Sequence, residues 1–397
     1  MADNILTINA GSSSIKLALF EEGDDLKRLF EGAIENIGQP MAKLITRAAD
    51  APNDTSQSII AQDHAVAAEI LVNWLRQQMQ DGNVSAVGHR IVNGGPKYYE
   101  PQVIDDDMVK DLQNLTVFDP EHLTVEVQLI EKLRQLFPGA TQVACFDTAF
   151  HHNLPTVARL LPIPRRYEAK GIRRYGFHGL SYTYVMQEVS RLAGPDAANG
   201  RLILAHLGNG VSLTAVKHGQ SVDTTMGLTP SGGVPMSTRS GDVDPGLALY
   251  LARTEGLDVG QFNDLVTFQS GLLGISETSS DMKELLDHEA DDSRAKDAVD
   301  LFCYQVKKSI GSLMAALGGL DMLVFTGGMG EQAPKIRARI CEGLDFLGLN
   351  IEETRNADSD SLISSDISKV AVRVIHTDEA FIIAQSTAQL ITKSGGQ

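Results

Sequence analysis

One local pattern, used twice, constrains this chain more than anything else in it. Ile5-Leu6-Thr7-Ile8 runs into Asn9-Ala10-Gly11-Ser12-Ser13-Ser14-Ile15-Lys16 and leaves through Leu17-Ala18-Leu19-Phe20. Far downstream, Leu202-Ile203-Leu204-Ala205-His206-Leu207 runs into Gly208-Asn209-Gly210 and leaves through Val211-Ser212-Leu213-Thr214-Ala215-Val216. Apolar run, Gly-rich turn, apolar run is the signature of a β-hairpin. The spacing is far too long for a solenoid repeat, so the pattern predicts two related domains. Each turn has two readings. One is an ordinary connection, since Asn-Gly is the commonest hairpin turn. The other is an anion cradle, in which glycine lets the backbone approach a ligand, hydroxyls and N–H groups ring a phosphate, and Lys16 adds charge. Neither standard nucleotide fingerprint is present: Gly11 and Lys16 lack the Gly-Lys-Ser/Thr ending of a P-loop, and no G-x-G-x-x-G opens a βαβ unit here.

The bulk numbers leave room for this duplication. A chain of 397 residues holds two or three domains, and 43% apolar with 21% charged residues is ordinary for a soluble globular protein. The formal charge of −17 argues against nucleic-acid partners and against docking on anionic membranes, but not against small anionic substrates. Cys145, Cys303 and Cys341 lie far apart and offer neither a disulfide framework nor metal-ligand spacing. The polar start and the lack of a long apolar run predict no signal peptide and no membrane span, hence a reduced, cytoplasmic protein.

Between the hairpins, a polar and acidic stretch extends to about Asp63, and a helix over Ala65 to Met79, with Ala68, Ile70, Leu71, Trp74 and Leu75 at helical spacing, follows and stops at Asp81-Gly82. Val84 to Val92 reads as a strand with Arg90 near its C-terminal end, where ligand sites of open sheets gather. Asp119-Pro120 starts a helix whose apolar face is Leu123, Val127, Ile130, Leu133 and Leu136. Gln142 to Phe146 reads as a buried strand that delivers Asp147, either a functional carboxylate or a plain helix cap. Arg165, Arg166, Lys170, Arg173 and Arg174 precede Tyr175-Gly176-Phe177-His178-Gly179, and form either a solvated loop or an anion funnel.

After the second hairpin come two loops dense in Gly, Ser and Asp, residues 227–233 and 238–246, then a mostly helical region whose clearest member is Ala298 to Leu317. A late strand, Met322 to Thr326, runs into Gly327-Gly328-Met329-Gly330, with a helix starting near Pro334. Those glycines suit backbone approach to a flat ligand such as adenosine, or tight helix–sheet packing. A strand at 370–375 and a helix from Asp378-Glu379 to Leu390 close the chain.

Phosphate hairpin, strand-end Asp, second hairpin and Gly-Gly-x-Gly, in that order, resemble the superfamily of actin, hexokinase and heat-shock chaperone ATPases. Within it the chain resembles the acetate/propionate kinase family over nearly its full length. The resemblance rests on Asn9 to Lys16, Gly88-His89-Arg90, Phe146-Asp147-Thr148-Ala149-Phe150-His151, Arg174 to Gly179, His206 to Gly210, Met226-Gly227-Leu228-Thr229-Pro230, Thr238-Arg239-Ser240-Gly241-Asp242 and Gly328-Met329-Gly330-Glu331. It implies an α/β fold of two ribonuclease H-like domains with a duplicated βββαβαβα core and a nucleotide cleft between them. The expected boundaries are 1–147 plus 381–397 for the first domain and 148–380 for the second, with closure about hinges near Asp147 and Ala380.

The implied reaction is reversible phosphoryl transfer from Mg-ATP (or Mn-ATP) to acetate by direct in-line attack, giving acetyl phosphate and ADP. By resemblance Arg90, Asp147, His178 and Arg239 are catalytic; Ser12, Ser14, Lys16, His206, Asn209 and Gly210 hold phosphate; Asp281, Met282, Lys283, Gly328 and Met329 hold adenosine. Arg90, Val92, Val117 and Pro230 border the acid, Asn9 and Glu379 form the magnesium neighbourhood, and the protein is a homodimer. A carboxylate approaching a γ-phosphate needs cations to offset repulsion, which suits two arginines. A short acid is ionised at neutral pH and needs no general base, so Asp147 is expected to be a positioning residue or a ligand of magnesium-bound water.

The chain departs from the family at Phe118, where Val117-Phe118-Asp119-Pro120 stands for Leu-His-Asn-Pro, and at Asn93, Tyr182 and Met282. His122 does not fill the missing histidine's position. These departures bear on the acid's size, so a kinase for propionate or a longer acid is the runner-up. An ATP-driven binding protein of the actin or chaperone type has no use for two arginines around a carboxylate. A sugar kinase calls for a polar pocket in place of Val92 and Pro230.

Overall fold

The computed structural model describes residues 3–11, 14–23, 25–48, 54–79, 83–395. The chain divides into two compact units, Met1–Ala149 with Asp378–Gln397, and Phe150–Thr377. Strands β1 to β8 are Asp3–Ala10, Ser14–Glu21, Lys27–Glu35, Ala42–Ala48, Thr55–Ile59, Asn83–Ile91, Gln102–Val103 and Thr141–Phe146. They form an 8-stranded sheet in the order β5-β4-β3-β2-β1-β6-β8-β7. Strands β9 to β13 of the second unit are Arg201–Leu207, Val211–Lys217, Gln220–Thr224, Met322–Thr326 and Ala371–Val374, in the order β11-β10-β9-β12-β13.

The two sheets share one topology. In the first, β1 pairs β2 antiparallel, β2 pairs β3 antiparallel, and β1, β6 and β8 run parallel. In the second, β9, β10 and β11 make the antiparallel meander, and β9, β12 and β13 run parallel. The duplication expected from the hairpins is therefore present strand for strand in the five-stranded core.

Side-chain alternation explains why both hairpins read so clearly. On β1 and β2, Leu6, Ile8, Ala10, Ile15, Leu17 and Leu19 enter one core with the His64–Gln78 and Pro120–Leu136 helices. Ile5, Ala18 and Phe20 enter a second core with Ala384 of the last helix, Glu379–Gly395. A sheet covered on both faces has near-continuous apolar strands. The strands run further than expected: the register pairs Asn9 with Lys16 and Ala10 with Ile15, so both polar residues stand on strands beside the turn. Ser12 lies outside the described residues, as does the expected helix stop at Asp81-Gly82.

The stretch read as polar and acidic is instead β3, β4 and β5. Ile34, Ala42 and Leu44 are buried, but β5 presents almost every side chain to solvent, and an edge strand of that kind carries little apolar signal. This extension supports the site: Arg28 on β3 donates from Nη2 to Asp378 Oδ1 at 2.6 Å, and Asp378 Oδ1 accepts from Phe381 N at 3.0 Å, which fixes the start of the last helix beside Glu379. That helix lies directly on β6 at Gly88, where a Cβ would sit 2.5 Å from Ile383 Cγ2. Only glycine permits that approach.

In the second unit, Tyr182, Val185 and Val189 of the Gly179–Ala193 helix pack with Leu202, Leu204, Val216, Met322 and Val324. The late glycines open a short helix, Gly327–Gln332, ahead of the helix expected near Pro334, which is Pro334–Cys341. Gly327 has φ +76°, and a Cβ there would lie 2.9 Å from Leu207 O, so this glycine serves helix–sheet packing. Gly328 is exposed with open space before it.

Candidate active site: two clusters at the ends of parallel strands

In the first unit three parallel strands end side by side. β1 ends in Asn9-Ala10, β6 in Arg90-Ile91, and β8 in Phe146, followed by Asp147, whose N–H donates to Ile91 O at 2.8 Å. Strand ends of this kind are where open α/β sheets gather ligands. Asp147 is fully buried in a turn. Arg90 donates from Nη2 to Asp147 Oδ2 at 2.8 Å and from Nη1 to Ala10 O at 3.3 Å. Burial opposes the Arg90 cation, but Asp147, Glu379 and Glu126 outweigh it and hold the guanidinium pKa above its ordinary value. Its Nε is buried and has no hydrogen-bond partner among the described residues. An orphaned charged donor is costly, and an anionic ligand is the chemistry that satisfies it.

Asn9 Nδ2 donates to Glu379 Oε2 at 2.6 Å, which joins β1 to the last helix. Ser14 O accepts from Gly11 N at 2.8 Å and closes the turn, while His64 Nε2 sits 2.9 Å from Gly11 O and braces it. Lys16 is exposed on β2 opposite Asn9. Val92 is buried, but Val117 is 80% exposed on the turn after the Asp106–Leu115 helix, so the structure does not support its expected place in an apolar wall.

Sequence reasoning missed Glu126. It lies on the buried face of the Pro120–Leu136 helix, between Leu123 and Ile130, where a charged residue breaks the apolar stripe; that break was the available signal. Both carboxyl oxygens accept from Val92 N, at 3.1 and 3.0 Å, and Oε1 lies 4.0 Å from Arg90 Nη1. On the same helix Asp119 Oδ1 is 2.9 Å from His122 Nδ1. Burial pushes the Glu126 carboxyl up to about 8 despite the Arg90 charge. The folded protein therefore keeps a proton that the unfolded chain releases from 4.5 upward, and stability falls as pH rises from 4.5 to about 8. Glu126→Gln is expected to flatten this part of the curve in urea titrations across that window; an unchanged slope contradicts the assignment.

In the second unit the hairpin turn between β9 and β10 carries His206, Asn209 and Gly210. His178 caps the Gly179–Ala193 helix in the left-handed region at φ +61°, and its ring stacks on His206 at 4.1 Å. A Cβ on Gly210 would lie 3.2 Å from His178 Nε2 and 3.6 Å from Arg239 Nη1, so these groups share the mouth of the turn. Arg239 donates from Nη1 to Pro230 O at 3.2 Å, and its loop is knit to residues 227–233 by Asp242 N donating to Gly233 O at 2.8 Å. His178, His206, Gly210, Arg239 and Pro230 thus come together, with exposed Asn209 at the tip.

The expected adenosine residues divide. Asp281 Oδ1 caps the Met282–His288 helix by accepting from Lys283 N at 2.9 Å and Glu284 N at 3.0 Å. Met282 is buried, whereas Lys283 and Gly328 are exposed. The basic cluster is not an anion funnel: Arg174 spends its guanidinium on the carbonyls of Ala158, Thr224, Thr225 and Met226. Arg165 pairs with Glu168, and Arg166 and Arg173 lie over the rings of Tyr167 and Tyr175.

Comparison with known proteins finds relatives along the whole chain. The acetate kinase of Rhodopseudomonas palustris (strain TIE-1) is 41% identical over 398 aligned residues, covering 98% of this chain and 99% of that protein. The acetate kinase of Nitrobacter hamburgensis is 42% identical, covering 98% and 96%. Among solved structures, acetate kinase from Porphyromonas gingivalis superposes with a TM-score of 0.87 at 34% identity, covering 98% and 100%. A propionate kinase from Francisella tularensis does so with 0.90 at 36% identity, covering 98% and 99%. The Acetokinase family matches residues 4–385, and with a shared core topology and relatives of this identity along the whole chain, the protein belongs to that family.

Proposed function

We infer that this protein is an acetate kinase, transferring the γ-phosphoryl group of ATP to acetate. The observation that carries the reading is the buried Arg90 guanidinium, held by Asp147 at the ends of three parallel strands with its Nε unsatisfied, in a chain of the acetokinase family. A carboxylate oxygen attacks the γ-phosphorus, the bond from that phosphorus to the β–γ bridging oxygen breaks, and ADP leaves with the electron pair. No proton moves, because acetate is ionised at neutral pH. Asp147, already committed to Arg90, holds that guanidinium and is not a base. Arg90, held by Asp147, offsets part of the repulsion between the two anions, a role that suits Arg239 as well.

The Asn9–Glu379 pair suits a magnesium ion. Among the described residues no group of three or more His, Cys, Asp or Glu side chains could hold a metal, so an ion here would keep most of its water and bind the nucleotide phosphates. One amide and one carboxylate are the hard oxygen ligands such a site requires, and the ion's contribution when bound is charge neutralisation on the β- and γ-phosphates.

Acetate takes precedence over propionate because relatives 41% and 42% identical along the whole chain are acetate kinases. With Mg-ATP and hydroxylamine, hydroxamate formation is expected to be most efficient for acetate and to fall for propionate and butyrate. No hydroxamate from any short acid contradicts the function.

A homodimer is supported by the Gly246–Thr254 helix, which buries none of its own residues and leaves Leu249 and Tyr250 exposed. Tyr250→Asp is expected to halve the mass seen by light scattering. The three cysteines are free and buried, in keeping with a cytoplasmic protein, and among the described residues no helix is long and apolar enough to cross a membrane.

A further inference from the structure

The parallel strands of the second unit also end side by side, and what stands there differs from the Arg90–Asp147 pair of the first. β9 and β12 are in register with His206 beside Thr326. Ile375 N donates to Phe325 O at 3.0 Å and carries the chain past β13 to His376 and Thr377. The carboxylate at this place is Glu331 of the Gly327–Gln332 helix, with only 11% of its side chain exposed. It meets backbone N–H groups rather than a guanidinium. Oε1 accepts from Gly327 N at 2.9 Å, from Thr377 N at 3.1 Å and from Thr326 Oγ1 at 3.4 Å. Oε2 lies 2.7 Å from Nδ1 of the exposed His376. One carboxylate thus fixes both the start of its own helix and the exit of β13.

Thr377 has a second tie. Its Oγ1 donates to Ser181 Oγ at 2.8 Å, and Ser181 Oγ, fully buried, lies 2.8 Å from His206 Nδ1. Gly327 in turn rests on Leu207, the residue after His206, with 2.9 Å between an added Cβ and Leu207 O. We propose that Glu331 and Thr377 are positioning residues that hold the adenosine end of the nucleotide site, at Gly328 and Met329, in fixed register with its phosphate end, at the β9–β10 turn. Which ligand part each end receives rests on the proposed function. A helix of six residues has too few internal hydrogen bonds to set its own direction, so its direction comes from what holds its two ends. Arg337 holds the far end through the carbonyls of Gly330 and Glu331. Glu331 holds the near end, and passes that hold through Thr377 and Ser181 to the hairpin. A ligand that spans two subsites gains from the second only where their separation matches its own length. Adenosine alone, or a polyphosphate alone, gains nothing from that match.

Binding to the full-length protein tests this without turnover, by calorimetry for Mg-ADP and by ligand-observed NMR for adenosine and for tripolyphosphate. Thr377→Val keeps the bulk and the N–H and removes only the hydroxyl. It is expected to weaken Mg-ADP about tenfold, the worth of one hydrogen bond, while each fragment binds within about twofold of its wild-type affinity. Thr377→Ser is expected to restore the ADP affinity. Glu331→Ala is expected to weaken ADP more than either fragment, and Glu331→Gln, which keeps an oxygen for Gly327 N and Thr377 N, to recover most of that loss. ADP affinity unchanged in Thr377→Val and Glu331→Ala overturns the proposal and leaves the acetate kinase reading intact. A fragment weakened as much as ADP also overturns it, because local damage to the site weakens each part alike. Wild-type protein that binds no ADP removes the proposed function and this proposal together.

Discussion

Arg239→Ala is expected to lower the rate of acetyl phosphate formation roughly 10³-fold or more, with the fold preserved. Arg239 is only partly buried, and its loop is held by the backbone hydrogen bond from Asp242 to Gly233, which survives removal of the side chain. Its loss falls on the transition state, where charge spreads over the transferring oxygens. Both kcat and kcat/KM should drop together, while the far-UV spectrum and melting temperature stay near wild type. Turnover close to normal would remove Arg239 from the machinery. Arg90→Ala is a less clean test, because it strands the buried carboxylate of Asp147 and so perturbs folding as well.

The largest effect on stability is expected at Arg337. This side chain is fully buried and faces no carboxylate among the described residues. It donates to Asn356 Oδ1 at 2.8 Å, to the carbonyls of Gly330 and Glu331 at 2.9 Å, to Asn356 O at 2.7 Å and to Ser359 Oγ at 2.9 Å. Burial pushes the guanidinium down to about 10, still charged at neutral pH. It ties the end of the helix bearing Gly328 and Met329 to the Glu353–Ala357 helix. Arg337→Met keeps the bulk but leaves several buried acceptors unpaired, for a loss on the order of 4 kcal/mol. The chain's one tryptophan, Trp74, lies in the first unit. In urea, far-UV dichroism of the variant should therefore show an early transition that Trp74 fluorescence does not follow. Coincident transitions at the wild-type midpoint would show that Arg337 carries no such load.

How much of this was legible in the sequence depends on how much apolar surface each segment buries. The hairpins at Gly11 and Gly208 stood out because their strands are buried on both faces, and the strand ends bearing Arg90 and Asp147 were equally plain. β3 to β5 were not, because an edge with one wet face mixes Arg28, Glu31, Lys43 and Arg47 among its apolar residues. The Arg174 cluster invited an anion-binding reading because charge is visible in a sequence while the carbonyls that absorb it are not. Val117 went astray for a related reason: an apolar residue beside a motif looks like a pocket wall until its exposure is known. Glu126 escaped because its place depends on contacts between segments distant in the chain. Tyr182 was noticed only as a departure from the family; its hydroxyl lies 2.5 Å from Ser212 Oγ, a contact no sequence pattern shows.

The central claim is that this chain passes one phosphoryl group between a carboxylate and a nucleotide, and the reverse reaction tests it most directly. Wild-type protein given acetyl phosphate, ADP and magnesium should form ATP, read by luciferase, in equal amount to the acetyl phosphate consumed. Consumption of acetyl phosphate without ATP, or no consumption at all, would contradict the account.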